Sequence, residues 1–168
     1  MRKLCFVLAI VIAAPIFAAP TVSVGFSPSA SHNALQLVLS TINSARRSVD
    51  VAAYSFTSKP VATALIAAKK RGVAVRVVAD RKANGDQYTA VTFLKNQGVP
   101  VQLNGRYAIM HNKFMVIDGN AVQTGSFNYT ASAASRNAEN VVVIRNSPEL
   151  VTQYQGEFNR LWHESGGH

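Results

Sequence analysis

Residues 48–80, SVDVAAYSFTSKPVATALIAAKKRGVAVRVVAD, decide the fold class. Ser48 to Phe56 reads as a strand, and Pro60 then stands where a first helical turn tolerates a residue without an amide proton. Val61 to Arg71 turns Ala, Leu and Ile inward, and Lys69, Lys70 and Arg71 close the helix at Gly72, cations at the end that carries unpaired carbonyls. Val73 to Asp80 is valine-rich and reads as a buried strand. A strand, a helix and a strand in succession predict a crossover onto a parallel neighbour.

Working outward, the same alternation continues. Thr21 to Phe26 reads as a strand, Ser27 to Ser31 as a turn, and Asn33 to Ala45 as a helix with Leu35, Val38, Leu39 and Ile42 on one face. Downstream, Asp86 to Gln97 reads as a helix ended by Gly98, and Val99 to Leu103 as a strand. Four strands separated by three helices predict an α/β sandwich whose first half is largely parallel. The second half changes character. Lys113 to Asp118 and Ala121 to Thr124 flank Asp118-Gly119-Asn120, a tight-turn sequence that predicts an antiparallel hairpin. A last strand, Asn140 to Arg145, precedes a helix from about Ser147 to His163. The expectation is a mixed β-sheet flanked by helices on both faces, in one domain spanning 20–168.

Residues 1–19 stand apart: Arg2 and Lys3, an uncharged apolar run from Leu4 to Ala14, then Pro15-Ile16-Phe17-Ala18-Ala19. This pattern reads as a secretory signal peptide, so a periplasmic or secreted location is expected. A membrane anchor is the competing reading, but the run is shorter than the roughly 20 residues that cross a bilayer core. Cleavage would remove Cys5, the single cysteine, together with two cations. No thiolate catalyst, disulfide or cysteine metal site would then remain. Over the whole chain, 17 Lys and Arg oppose 8 Asp and Glu, a formal charge of +9, which predicts a polyanionic partner.

The hairpin carries the chemistry. His111 and Lys113 stand two residues apart at the start of a strand, where period-two geometry points both to one face. Ser126 and Asn128 repeat the arrangement on the returning strand, and Gly125 lets backbone approach closely. Imidazole, ammonium, hydroxyl and carboxamide together make a phosphate pocket, in which one group attacks phosphorus and the others hold its oxygens. Acids are few and scattered, unlike the carboxylate clusters of metal-dependent nucleases, so neither a metal nor another cofactor is expected.

Residues 111–128 read His-x-Lys-x4-Asp-x6-Gly-Ser-x-Asn without departure. This resembles the catalytic motif of the phospholipase D superfamily, and in particular its small exported bacterial endonucleases with a single motif. The resemblance implies that His111 is the nucleophile, that Lys113 and Asn128 bind the phosphate oxygens, and that Ser126 joins their hydrogen-bond network. Asp118 is implied to be structural, and Glu139 to orient the histidine. His32, His163 and His168 lack a partner lysine, and the family's chemistry needs two histidines. A homodimer with the active site on its two-fold axis would supply the second.

The expected function is therefore a sequence-nonspecific, metal-independent endonuclease acting on DNA, with RNA left open. A phospholipid-hydrolysing or phosphatidyl-transferring enzyme is the alternative. Arg81 and Lys82 are candidates for nucleic-acid contact because they follow a buried strand at the end where α/β proteins place ligands. Lys69, Lys70 and Arg71 either solvate a helix end or add to polyanion affinity. Tyr107 either stacks a base or packs, and Phe158, Leu161 and Trp162 read as core or dimer contact.

Overall fold

In the computed structural model, residues 18–31, 33–85 and 89–166 are described. The elements are β1 (Thr21–Ser27), α1 (Ala34–Ser44), β2 (Ser48–Ala53), α2 (Lys59–Lys70), β3 (Ala74–Asp80), α3 (Ala90–Asn96), β4 (Val101–Asn104), β5 (Lys113–Ile117), β6 (Ala121–Gly125), α4 (Ala131–Ser135), β7 (Glu139–Arg145) and α5 (Pro148–Ser165). The strands form one seven-stranded sheet in the order β1-β7-β6-β5-β2-β3-β4. β2, β3 and β4 run parallel, while β5, β6, β7 and β1 are joined by antiparallel pairs. The sheet is mixed, with helices on both faces, as expected.

Side-chain alternation builds two cores. Val49, Val51 and Ala53 of β2 meet Val38, Ile42, Leu65 and Leu94 from α1, α2 and α3 on one face. Ala52, Val78, Phe114 and Val122 meet Val151, Phe158 and Leu161 of α5 on the other. A charge also lies beneath α5. Asp50, only 4% exposed, accepts two hydrogen bonds from Arg76 at 2.8 and 2.7 Å and one from Gln155 at 2.8 Å. The half-buried guanidinium in turn lies 4.9 Å over the Phe158 ring, so the buried carboxylate is not left unpaired.

Two local expectations are corrected, and one element is added that the sequence reading did not contain. β1 is not part of the parallel group: it lies at the far edge, antiparallel to β7, with Thr21 opposite Arg145. The β2 strand stops at Ala53 rather than Phe56. There the Asn84 side chain draws the chain aside, accepting from the Phe56 amide at 2.9 Å and donating to the Asp80 carbonyl at 2.9 Å. The short helix α4, capped by the Thr130 hydroxyl, spans too few residues to show a periodicity. The signal-peptide reading and the start of the predicted 86–97 helix fall largely outside the described residues, as do His32 and His168. No helix among the described residues is long and apolar enough to cross a membrane.

The hairpin turn is held from outside. Asp118, at a φ of 56°, closes the β5–β6 turn with Gly119. Its carboxylate accepts from the backbone amides of Arg46, Arg47 and Ser48 at 2.7 to 3.2 Å, tying the turn to the start of β2. Burial pushes this carboxyl up, but the three amides and the Arg47 charge outweigh it and hold the group below its usual range. Asp118→Asn keeps a residue that tolerates positive φ while losing the charge. It is expected to cost about 1–2 kcal/mol in denaturant titrations at neutral pH. Because the folded value is the lower one, this stabilisation is full above the unfolded carboxyl's value. It is lost as pH falls through the folded value, so parent and variant should converge in acid.

Candidate active site

The ends of β2, β3 and β4, the start of β5, the end of β6 and the start of β7 all lie along one rim of the sheet. There a cavity of about 420 Å³ is lined by His111, Asn112, Lys113, Phe114, Thr124, Gly125, Ser126, Asn128, Glu139 and Tyr154. Six of the residues singled out by sequence therefore share one cavity: His111, Lys113, Gly125, Ser126, Asn128 and Glu139. They converge for a reason that differs from the expected one. β5 begins at Lys113 and β6 ends at Gly125, so His111, Ser126 and Asn128 stand on loops just beyond the hairpin and not on alternating strand positions. The Phe114–Thr124 rung brings the two loops together.

Each group has a definite setting. His111 is exposed, and its ring meets the Tyr54 ring edgewise with centroids 4.6 Å apart. Lys113 is 9% exposed; its ammonium donates to the His111 carbonyl at 2.7 Å and lies 5.2 Å over the same tyrosine. Burial pushes the Lys113 ammonium down, while the Glu139 charge pulls it back up. The Asn128 carboxamide lines the cavity with its oxygen buried and unpartnered. An orphaned carbonyl oxygen costs free energy that a hydrogen-bond donor brought by the substrate would recover.

Ser126 and Glu139 are tied to one another. The Ser126 hydroxyl donates to Glu139 Oε2 at 2.5 Å and accepts from the Asn140 amide at 3.1 Å, and Asn137 donates to Glu139 Oε1 at 3.0 Å. Within one chain the carboxylate is thus engaged by Ser126 and Asn137. Gly125 is at a φ of 146°, and a Cβ there would stand 2.3 Å from the Asn140 carbonyl oxygen. The bare backbone is what lets β6 and β7 close at the cavity's edge.

Asp118 lies at the opposite end of the hairpin. Arg81 and Lys82 follow β3 on the cavity's rim without lining it, and their side chains reach the carbonyls of Leu103 and Ala108 at 3.3 and 3.5 Å. Tyr107 is 36% exposed, and its hydroxyl donates to Glu164 at 2.8 Å. Phe158 and Leu161 are core, and Trp162 stacks on Phe158 at 5.9 Å.

Two residues escaped the sequence reading. Tyr54 touches both the imidazole and the ammonium, and Asp80 accepts from the Met110 amide at 2.7 Å, fixing the backbone just before His111. Both stand at the C-terminal ends of parallel strands, the position that carries ligand sites in α/β sheets and that had drawn attention only to Arg81 and Lys82. Among the described residues, no three His, Cys, Asp or Glu side chains gather as a metal site would require.

Comparison with known proteins agrees with this fold. Residues 38–162 match the family model described as cardiolipin synthase, PLD-like domain. The chain is 38% identical over 120 residues to a mitochondrial cardiolipin hydrolase of Xenopus laevis, covering 71% of this chain and 57% of that protein. It is 35% identical over 139 residues to a phospholipase D of Rickettsia conorii, covering 83% and 68%. Among solved structures, Nuc from Salmonella typhimurium, a phospholipase D family member, superposes with a TM-score of 0.83 at 40% identity, covering 87% of this chain and 96% of that one. The chain spans about three fifths of the cardiolipin hydrolases it matches, 57% to 61% of their length.

Proposed function

The chain belongs to the phospholipase D superfamily, and from that premise we propose that it is a metal-independent phosphodiesterase that cleaves the nucleic-acid backbone without sequence preference. The observation that carries the reading is the meeting of His111, Lys113 and Asn128 in one cavity. The imidazole attacks phosphorus as the bond to the leaving oxygen breaks, giving a phosphohistidine. Lys113 and the Asn128 carboxamide hold the non-bridging oxygens as negative charge builds on them. Water then attacks the same phosphorus, the P–N bond breaks, and His111 is regenerated.

Protonation of the leaving oxygen, and deprotonation of the water, fall to the second histidine, contributed by a second copy of the chain. The sheet face beyond α5 supports such a pairing. Val22, Val24 and Phe26 of β1 are 64%, 46% and 50% exposed there, and Phe26 lies opposite Asn140, next to Glu139. The excess of cations over acids favours a polyanion as substrate. Export follows from the reading of residues 1–19 as a signal peptide.

One observation favours phospholipid as the substrate instead. The same strip of Val22, Val24 and Phe26 would accept acyl chains beside the cavity, in keeping with relatives named for lipid hydrolysis. Supercoiled plasmid in excess chelator, run beside vesicles containing cardiolipin, separates the two. Nicked circles without lipid cleavage are expected. Lipid cleavage without nicking would overturn the nucleic-acid assignment, and nicking abolished by the chelator would overturn the metal-independent chemistry.

A further inference from the structure

We propose that the end of the sheet remote from the cavity is a second nucleic-acid-binding face, formed where α1, α2 and α3 terminate and built from Arg46, Arg47, Lys69, Lys70, Arg71 and Lys95. It rests on the reading of nucleic acid as the substrate, and it adds a docking surface that the cavity does not provide. All six residues are exposed. They adjoin one another: Arg71 donates to the carbonyls of Ile42, Asn43 and Ala45 at 3.3 to 3.4 Å, which brings the end of α2 against the Ala45–Arg46 turn. Lys69 Nζ stands 3.5 Å from where a Cβ on Gly98 would lie, and the Gly98 amide bonds the Lys95 carbonyl at 2.8 Å, which brings in the end of α3.

Helix-end compensation accounts for part of this cluster and not the rest. Cations near a C-terminus relieve the negative end of the helix dipole. Arg71 does so by direct hydrogen bonds, and Arg47 donates to the Asp118 carbonyl. The side chains of Arg46, Lys69, Lys70 and Lys95 make no ion pair among the described residues. The carboxylate that meets this segment, Asp118, already accepts from three backbone amides. By contrast Glu139, Glu157 and Glu164 offset cations at the cavity end, where Glu157 and Glu164 bind Arg160 at 2.6 and 2.7 Å. Arg81 and Lys82, at the cavity end, also make no ion pair among the described residues. Positive charge without an ion-paired partner therefore gathers at both ends of the sheet, and the remote face is a second such surface.

A polyanion backbone is the partner that fits. Of the large apolar side chains exposed among the described residues, Val22, Val24 and Phe26 are on β1, Tyr107 and Ile109 on the loop before His111, and only Phe93 on one of the three helices. A membrane-docking face would interleave its cations with such side chains. β2 spans six residues, so the face lies about 20 Å from the cavity and would hold a different stretch of a long polymer from the one being cut.

The test is a fourfold variant, Arg46→Ala, Lys69→Ala, Lys70→Ala and Lys95→Ala. Among the described residues these side chains make no hydrogen bond or ion pair, and they have no part in the chemistry. Turnover of bis(4-nitrophenyl) phosphate should be unchanged. Affinity for a 30-base-pair duplex should fall about tenfold or more, with the slope of log K against log salt shallower by about three. An unchanged affinity and slope would overturn the proposal. So would loss of binding to phosphatidylglycerol vesicles with duplex binding intact, which would give the face to a membrane. If neither parent nor variant turns over the small diester, the catalytic reading fails while duplex affinity still decides the face. Should the fourfold chain not fold, the paired variants Lys69→Ala/Lys70→Ala and Arg46→Ala/Lys95→Ala are each expected to give about half the change in slope.

Discussion

His111→Ala is expected to fold as the parent does and to lose turnover by about 10⁴-fold or more, the scale on which removal of a covalent nucleophile acts. The two halves of this expectation have separate causes. The imidazole is exposed, and its described side-chain contact is the edge of Tyr54, so its removal opens no cavity in either core. Thermal midpoints of parent and variant should agree within a few degrees, a shift of less than about 1 kcal/mol. Chemistry, in contrast, has no substitute at that place, because Lys113 already donates to the His111 carbonyl and the Ser126 hydroxyl is committed to Glu139. Phosphate binding should persist, since the ammonium and the Asn128 carboxamide remain. Titration of a short duplex should therefore give an affinity close to the parent's, while single-turnover cleavage falls to background. A variant that cleaves within tenfold of the parent would remove His111 from the reaction.

How much of this was legible in sequence depends on range. The hairpin could be read because Asp118-Gly119-Asn120 dictates a turn locally and the flanking apolar residues repeat with strand period. The fixed spacing from His111 to Asn128 then carried the site, since two loops at the open end of one hairpin must come close. Parallel β2 and β3 were legible for a similar reason, with the linking helix written between them. β1 was not, because its partner β7 is more than a hundred residues away and nothing in Thr21 to Phe26 states which edge it joins. Tyr54 and Asp80 are likewise contacts across the sheet: one reaches His111 through space, and the other holds the Met110 amide thirty residues on. Net charge was legible as a sum but not as a distribution. Only the meeting of three helix ends gathers Arg46, Lys69, Lys70 and Lys95, which are far apart in sequence, into one surface.

Gly125→Ala is expected to be the most damaging single-methyl change in the molecule. At a φ of 146° an L side chain is strained wherever it has room, and here it has none. The new methyl would stand 2.3 Å from the Asn140 carbonyl oxygen, 2.9 Å from its side-chain oxygen and 3.0 Å from its carbonyl carbon, and backbone cannot swing away as a flexible side chain does. The relief available is to part β6 from β7 at the Gly125–Val141 rung. That end holds the Ser126–Glu139 bond and the Ser126–Asn140 amide contact, so parting it also loosens the loop that carries Asn128. Strain at a positive-φ position and the lost ladder together should cost about 3 kcal/mol or more. Activity should fall further than the population of folded protein alone explains, because the phosphate-binding carboxamide moves with the loop. Denaturant titration measures the first effect, and turnover per folded molecule the second. A variant with parental stability and rate would mean that β6 and β7 do not close over Gly125 as described, and the placement of Ser126 and Asn128 would fall with it.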